Sequence, residues 1–271
     1  MDPHRDQVLD PVAVLCDLDG VIWLAHEPIP GSVEAVARLR ASGRRVVFVT
    51  NNSAAVVAAQ EEALAAIGIP AEGDVLTSAM AAATLVQPGE RVLVCGGPGI
   101  AEAVAGRGAV AVAGDDPDGV DVDAVVVGMH REFDYERMRI AATAVRRGAR
   151  LIASNDDATY PTPAGPIPGG GAILAAIATA AGRPPEVIAG KPHAPMAAAV
   201  RALLGELADA ELLMVGDRPN TDGAFALTLG CAYALVRSGV TAPDEEVTVP
   251  VAIDAPNLAA VVDALLGARA G

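Results

Sequence analysis

Val12-Ala13-Val14-Leu15-Cys16-Asp17-Leu18-Asp19-Gly20 is the stretch that decides the fold. Five apolar residues without a charge read as a strand buried on both faces, and the acids that follow place polar chemistry at its carboxyl end. Working outward, the pattern predicts a helix over 31–41 stopped at Gly43 and a strand over 46–49. Ser53 is then expected to cap a long Ala/Glu-rich helix to Ile67, ended by Gly68, before a short strand over 74–77. This β-α-β-α-β order predicts an α/β protein with a doubly wound parallel sheet. Runs at 212–215, 232–236 and 251–253 read as further strands of it.

The middle of the chain reads as a second unit. Strands are expected at 91–95, 110–113, 124–127 and 151–153, and helices near 99–105, 135–147 and 172–181. Pro88-Gly89 and Arg183-Pro184-Pro185 bound it, and an acidic Gly/Pro/Asp loop at 114–121 interrupts it. We therefore expect an inserted α/β domain at 79–183 between core segments 1–78 and 184–271. A chain of 271 residues suits two domains at about 150 residues each. The first nine and last five residues are expected to be loose.

Composition excludes several classes. Aromatics are 3% against 52% apolar residues, so the core must be built from Ala, Val, Leu and Ile. The most membrane-like stretch, 223–236, is short of the roughly 20 residues a span needs. The first residues, MDPHRDQVLDP, lack the apolar centre of a secretory signal. A net charge of −15 without a local basic patch argues against nucleic acid. Cys16, Cys95 and Cys231 are too far apart for a zinc ribbon or disulfide framework, which fits a cytoplasmic protein without a membrane anchor. The pattern leaves room for a homodimer.

Four clusters carry chemistry. Asp17 and Asp19, two residues apart at a strand end, suit a nucleophile and a general acid/base, and Gly20 lets backbone approach an anion. Thr50-Asn51-Asn52-Ser53 follows the second strand and suits anion binding at a helix start. Gly190-Lys191-Pro192 holds the chain's single lysine, against 18 arginines, where a compact ammonium serves better than a planar fork. Asp217 and Asp222, in Gly216-Asp217-Arg218-Pro219-Asn220-Thr221-Asp222, offer hard oxygens for magnesium. His26, His130 and His193 share no metal-ligand spacing, and Cys95-Gly96-Gly97-Pro98-Gly99 reads as a strand-to-helix turn.

These four clusters, in this order over nearly the whole chain, resemble the motifs of the haloacid dehalogenase superfamily. Ser154 to Thr162 and Pro168-Gly169-Gly170-Gly171 resemble its large-cap subfamily IIA, which includes NagD-type, p-nitrophenyl and phosphoglycolate phosphatases. The resemblance implies a Rossmann-like core with an inserted cap. It implies a Mg2+-dependent phosphatase acting through an aspartyl-phosphate on a small phosphorylated metabolite. Candidates are glycerol phosphate, phosphoglycolate, a nucleoside monophosphate and pyridoxal phosphate. A phosphotransferase or phosphomutase, or a retired phosphometabolite-binding module, is the alternative on the same scaffold.

By the same resemblance Asp17 is nucleophile and metal ligand, and Asp19 acid/base with its carbonyl on the metal. Asp217 is the main metal ligand and Asp222 a secondary acid. Thr50, Asn51, Asn52 and Lys191 hold phosphate. Asn155, Asp157 and Tyr160 are candidates for specificity from the cap. Asp156, Met129-His130 and Asn220 depart from the usual pattern.

Overall fold

A computed structural model describes residues 9–162 and 164–267. In chain order the strands are β1 Ala13–Cys16, β2 Trp23–Leu24, β3 Glu27–Pro28, β4 Arg45–Thr50, β5 Val75–Thr77, β6 Arg91–Cys95, β7 Val110–Ala113, β8 Ala124–Val127, β9 Arg150–Ala153, β10 Thr159–Tyr160, β11 Ile167–Pro168, β12 Val187–Ile188, β13 Leu212–Gly216, β14 Ala232–Val236 and β15 Ile253–Ala255. The helices are α1 Ser32–Ala41, α2 Val57–Ala66, α3 Ser78–Ala83, α4 Pro98–Gly106, α5 Tyr135–Arg146, α6 Gly170–Ala181, α7 Ala194–Leu204, α8 Ala224–Leu229 and α9 Leu258–Gly267.

Two parallel sheets organise these elements. The larger has the order β15-β14-β13-β1-β4-β5, and the second β12-β9-β8-β6-β7. Relabelled by their own sequence order, these are 6-5-4-1-2-3 and 5-4-3-1-2. Both are doubly wound arrangements with a switch point beside their first strand, where the carboxyl ends open a crevice. The strand carboxyl ends of the two sheets converge: residues just past β1, β4 and β13 share one pocket with residues just past β8 and β9.

The period of two along each strand sorts side chains between layers. Val14 and Cys16 of β1 enter one apolar cluster with Phe48 and Val215, under α1 and α9. Leu15, Val47, Val49 and Met214 enter a second cluster on the opposite face. That second cluster also contains Val92, Val94, Val126 and Ile152 from the other sheet, with α3, α4, α7 and α8 side chains between. The outer face of the second sheet packs Leu93, Val125 and Leu151 on α5 and α6.

Several elements differ from the sequence expectation. Ser53 does not cap a helix: α2 begins at Val57, and the Ser53 hydroxyl is buried against Ser154 Oγ at 2.9 Å. Thr50-Asn51-Asn52-Ser53 is therefore an extended turn at the end of β4. The cluster's local look of a cap was overridden by a contact made a hundred residues away. The hairpins β2–β3 and β10–β11 and the short helix α3 carry too few residues for a periodic signal. Val187–Ile188 pairs with β9, so the second sheet takes its edge strand from beyond Arg183. Gly267 is the last residue of α9 and Leu9 is also described, while the remaining terminal residues expected to be loose lie outside the described residues.

Cys95-Gly96-Gly97-Pro98-Gly99 is a joint between the two sheets. Gly99 N donates to Ala54 O at 3.1 Å, and a side chain at Gly97 or Gly99 would collide with the backbone of Ala54 or Ala55. The start of α4 is thus closed by a carbonyl of the other unit. Gly99→Ala is expected to cost about 1–3 kcal/mol by overpacking. Gly106→Ala, in the same helix but meeting nothing within 4 Å, should leave stability unchanged or slightly raised. Thermal unfolding of the two variants side by side checks this.

Candidate active site

The end of β1 hands the chain to Asp17, whose N–H still donates to Val215 O of β13 at 2.9 Å. The end of β13 hands it to Asp217, so two carboxylates flank the switch point of the larger sheet. Gly20 adopts φ +89, and a side chain there would meet the Asp217 carboxylate, as would one at Gly239. Those glycines let two loops close around Asp217. Its Oδ2 accepts from Val240 N at 2.6 Å, and its carbonyl accepts from Thr241 Oγ1. A π-helical turn over Pro219–Gly223 then brings Asp222 back beneath Gly216, where no Cβ would fit.

Lys191 completes the centre. Its Nζ donates to Asp17 Oδ1 and to Asp222 Oδ1, each at 2.8 Å, with the lysine side chain 2% exposed. Asp222 Oδ2 accepts from Arg218 N at 3.1 Å, so both of its oxygens are engaged. Asp217 Oδ1 is different: it is buried and has no hydrogen-bond partner among the described residues. Asp17, Asp217 and Asp222 each offer an oxygen within 4.8 Å of the others. Three carboxylates against one ammonium leave a surplus of two negative charges in a buried space. This donor set, all hard oxygen with one atom lacking a partner, fits a divalent cation.

Burial raises the affinity of these acids for protons. It pushes the Asp17 carboxyl well above the usual range; Lys191 opposes the shift, while Asp222 and Asp217 add to it. Burial raises Asp217 to about 7, with the Asp222 charge adding to the effect. Burial likewise raises Asp19 and Asp157. For Lys191 burial alone would lower the value, but the charges of Asp17 and Asp222 outweigh it and hold the ammonium protonated.

The remaining candidates surround this centre. Thr50, Asn51, Asn52, Asn155, Asp157 and Tyr160 all line the same pocket as Asp17, Asp19 and Lys191. Thr50 Oγ1 accepts from Asn52 N at 3.0 Å, which leaves its own hydrogen to donate inward. Asn52 Oδ1 accepts from Ala54 N at 3.0 Å. The Tyr160 phenol, on β10, faces Asp19 and Asn52, and burial together with the Asp19 and Asp17 charges raises its proton affinity. Asn155 turns its amide away from the pocket, onto Asn51 O at 2.8 Å and Ser154 Oγ at 3.3 Å. The Asn51 side chain is fully engaged, donating to Asp157 Oδ2 and Lys191 O and accepting from Lys191 N. Gly169-Gly170-Gly171 starts α6 hard against the backbone of 156–159 and the Asn155 amide, where side chains would collide. Pro163, within the expected specificity loop 155–163, lies outside the described residues.

Sequence reading missed Leu24, Arg218 and the segment 238–241. Ser238 Oγ binds Gly20 O at 2.7 Å, so this segment ties the first acidic loop to the last. A Gly just past the end of an expected strand was the available signal.

Comparison with known proteins follows this geometry. The family model described as haloacid dehalogenase-like hydrolase matches residues 14–110, and a HAD-hydrolase-like model matches 188–268. An acid sugar phosphatase of Staphylococcus saprophyticus is 33% identical over 237 residues, covering 86% of this chain and 89% of that protein. The chain belongs to the haloacid dehalogenase-like hydrolases. The D-glycerol 3-phosphate phosphatase of Mycobacterium tuberculosis is 38% identical over 234 residues, which is 84% of this chain and 63% of that protein. Among solved structures, the p-nitrophenyl phosphatase from Archaeoglobus fulgidus superposes with a TM-score of 0.86 at 32% identity, covering 94% of this chain and 100% of that one. The M. tuberculosis glycerol phosphate phosphatase, solved in complex with calcium, gives 0.77 at 35% identity, over 85% of this chain and 67% of that one. As a haloacid dehalogenase-like hydrolase of this phosphatase branch, the chain presents the family's parallel-sheet core, and no helix among the described residues is long and apolar enough to cross a membrane.

The raised Asp217 fixes a pH sign. In the metal-free chain the folded carboxyl binds its proton more tightly than the unfolded one. Its contribution to stability is therefore full below the ordinary Asp range and lost as pH rises through about 7. A divalent ion competes with the same proton. Calorimetric titration with Mg2+ should show affinity falling as pH is lowered from 8 to 6, and melting of the metal-free protein should show the reverse trend in stability.

Proposed function

We propose that this chain is a magnesium-dependent phosphatase that hydrolyses phosphomonoesters of small metabolites through an aspartyl-phosphate on Asp17. The observation that carries the proposal is the Lys191 ammonium bridging Asp17 and Asp222 beside the unpartnered Asp217 Oδ1. Lys191 fixes one oxygen of Asp17, which leaves Oδ2 to attack phosphorus as the bond to the leaving oxygen breaks. Asp19, whose burial favours the protonated acid, gives its proton to that oxygen. The resulting carboxylate then takes a proton from water, whose oxygen attacks phosphorus and returns Asp17 and inorganic phosphate. Thr50 and Asn52 are placed to hold phosphate oxygens. Asp17, Asp217 and Asp222 would surround the ion, which when bound supplies Lewis-acid neutralisation of the phosphoryl charge.

The division of the chain belongs to the same proposal. The larger sheet forms the catalytic core and the second sheet a cap, inserted after Ser78 and returning to the core past Ile188 because Val187–Ile188 pairs within it. The expected boundary at Arg183 moves accordingly. Tyr160, which lines the pocket from the β10–β11 hairpin with its phenol toward Asp19, supports a role in contacting the leaving group. Glycerol phosphate and sugar phosphates head the substrate list, because the relatives named above act on them. Three free cysteines suit a reducing cytoplasm.

Steady-state hydrolysis of p-nitrophenyl phosphate with Mg2+ tests the reading. Asp17→Asn should lower kcat by at least about a thousandfold with folding intact, and near-normal turnover would remove Asp17 as nucleophile. Lys191→Arg should be as damaging as Lys191→Ala, since a planar fork cannot occupy the space of an ammonium held at 2.8 Å from two carboxylates. Tyr160→Ala should reorder a panel of phosphorylated metabolites by kcat/KM while changing p-nitrophenyl phosphate less; a uniform loss would make Tyr160 a loop residue only.

A further inference from the structure

Asn51 occupies an unusual position for a residue expected to hold phosphate. Its amide nitrogen donates to Asp157 Oδ2 at 2.9 Å and to Lys191 O at 3.0 Å, which uses both hydrogens. Its Oδ1 accepts from Lys191 N at 2.8 Å. The side chain thus grips the backbone of Lys191 from both sides and reaches a carboxylate of the cap loop with its second hydrogen. The backbone is held as firmly, since Asn51 O accepts from Ser78 Oγ at 2.7 Å and from Asn155 Nδ2 at 2.8 Å. Gly190 gives the space required, because a Cβ there would meet Asn51 Oδ1 and Ser154 O. A phosphate oxygen could take a hydrogen bond from this amide only by displacing one of these partners.

We infer that Asn51 is a positioning residue, which couples the seating of the cap loop at Asp157 to the placement of the Lys191 ammonium between Asp17 and Asp222. Beyond its through-space charge attraction to that ammonium, Asp157 acts through the amide. When the 155–160 segment is seated, one hydrogen of Asn51 is held by Asp157, and the other is directed at Lys191 O. When the segment lifts, the amide keeps its two bonds to the Lys191 backbone but loses the third, which loosens the placement of Lys191. The same segment carries Tyr160 to Asp19, so seating of one loop would set both the leaving-group side and the lysine. Only the kinetic arm of the test rests on the phosphatase reading.

The single lysine makes the inference directly measurable. Full-length protein labelled with 13C-lysine gives one set of side-chain signals, all from Lys191. Four variants are compared with the wild type: Asp157→Asn, Asp157→Glu, Asn51→Asp and the swap Asn51→Asp/Asp157→Asn, in which donor and acceptor are exchanged. Coupling predicts that Asp157→Glu moves or broadens the Lys191 Cε signals although it keeps the charge, and that the swap, which restores the 51–157 bond but not the one to Lys191 O, returns them part of the way from the Asn51→Asp position. With p-nitrophenyl phosphate and Mg2+, kcat of each Asp157 variant should fall about tenfold, the size of one hydrogen bond to a charged group. Inhibition by inorganic phosphate should change less than about threefold in those variants, as expected for a group that does not touch phosphate. Lys191 signals unchanged in both Asp157 variants would overturn the inference. So would a swap that is no better than Asn51→Asp with phosphate inhibition weakened wherever Asn51 is replaced, which would make Asn51 a phosphate ligand. Should Asn51→Asp not fold, the two Asp157 variants decide alone. An inactive wild type showing the expected signal pattern would remove the phosphatase reading and leave the coupling in place.

Discussion

The ammonium of Lys191 held between Asp17 and Asp222 is the contact around which the rest is arranged. Burying a cation with two anions is costly unless each charge is matched and hydrogen-bonded. The fold meets that condition with short, direct bonds and with a Gly at every point where a loop must come close: Gly20 and Gly239 against Asp217, Gly216 against Asp222, Gly190 against Asn51. A buried pair of this kind is a poor source of stability. Its value lies in holding one carboxylate oxygen fixed before any substrate arrives, so that little reorganisation is left for the reaction itself.

The two sheets explain how so many loops reach one point. Each is doubly wound, each opens a crevice at its strand carboxyl ends, and the crevices converge on a common pocket. Asp17 and Asp217 come from one set of strand ends, and Asn155 and Asp157 from the other. Asn51 and Ser53, just past β4, are two of the points where they touch.

Much of this was legible in the sequence, and the limits have physical causes. The strand ahead of Asp17 is apolar throughout because both its faces are covered, and that pattern can be read locally. The single lysine stood out because an Arg-rich composition had kept a compact ammonium at one position. Ser53 misled because a Ser before an Ala-rich helix looks like a cap, whereas its partner is Ser154 in another sheet. The Asn51 side chain is likewise bonded to Asp157 and Lys191, both more than a hundred residues away, which no local pattern announces. The segment 238–241 belongs to no motif, since its Ser238 and Thr241 hydroxyls bind carbonyls of distant loops and Val240 contributes a backbone N–H. Non-local hydrogen bonds leave no periodic trace.

The apolar cluster shared by both sheets bears on how a ligand gets in and out. Val92, Val94, Val126 and Ile152 lie in the same cluster as Leu15, Val47 and Met214, with Ile100 and Ala82 among them. Parting the sheets as rigid bodies would wet that seam, at about 25 cal/mol for each Å² uncovered. Traffic is cheaper through pieces that share no such seam. Of the two short ribbons lining the pocket, β2–β3 is pinned by Trp23, fully buried in the cluster under α1 and α9, whereas β10–β11 with Tyr160 pairs as a strand ribbon of its own. A ligand would enter and leave such a molecule past the β10–β11 ribbon, through a mouth whose jaws stay shut.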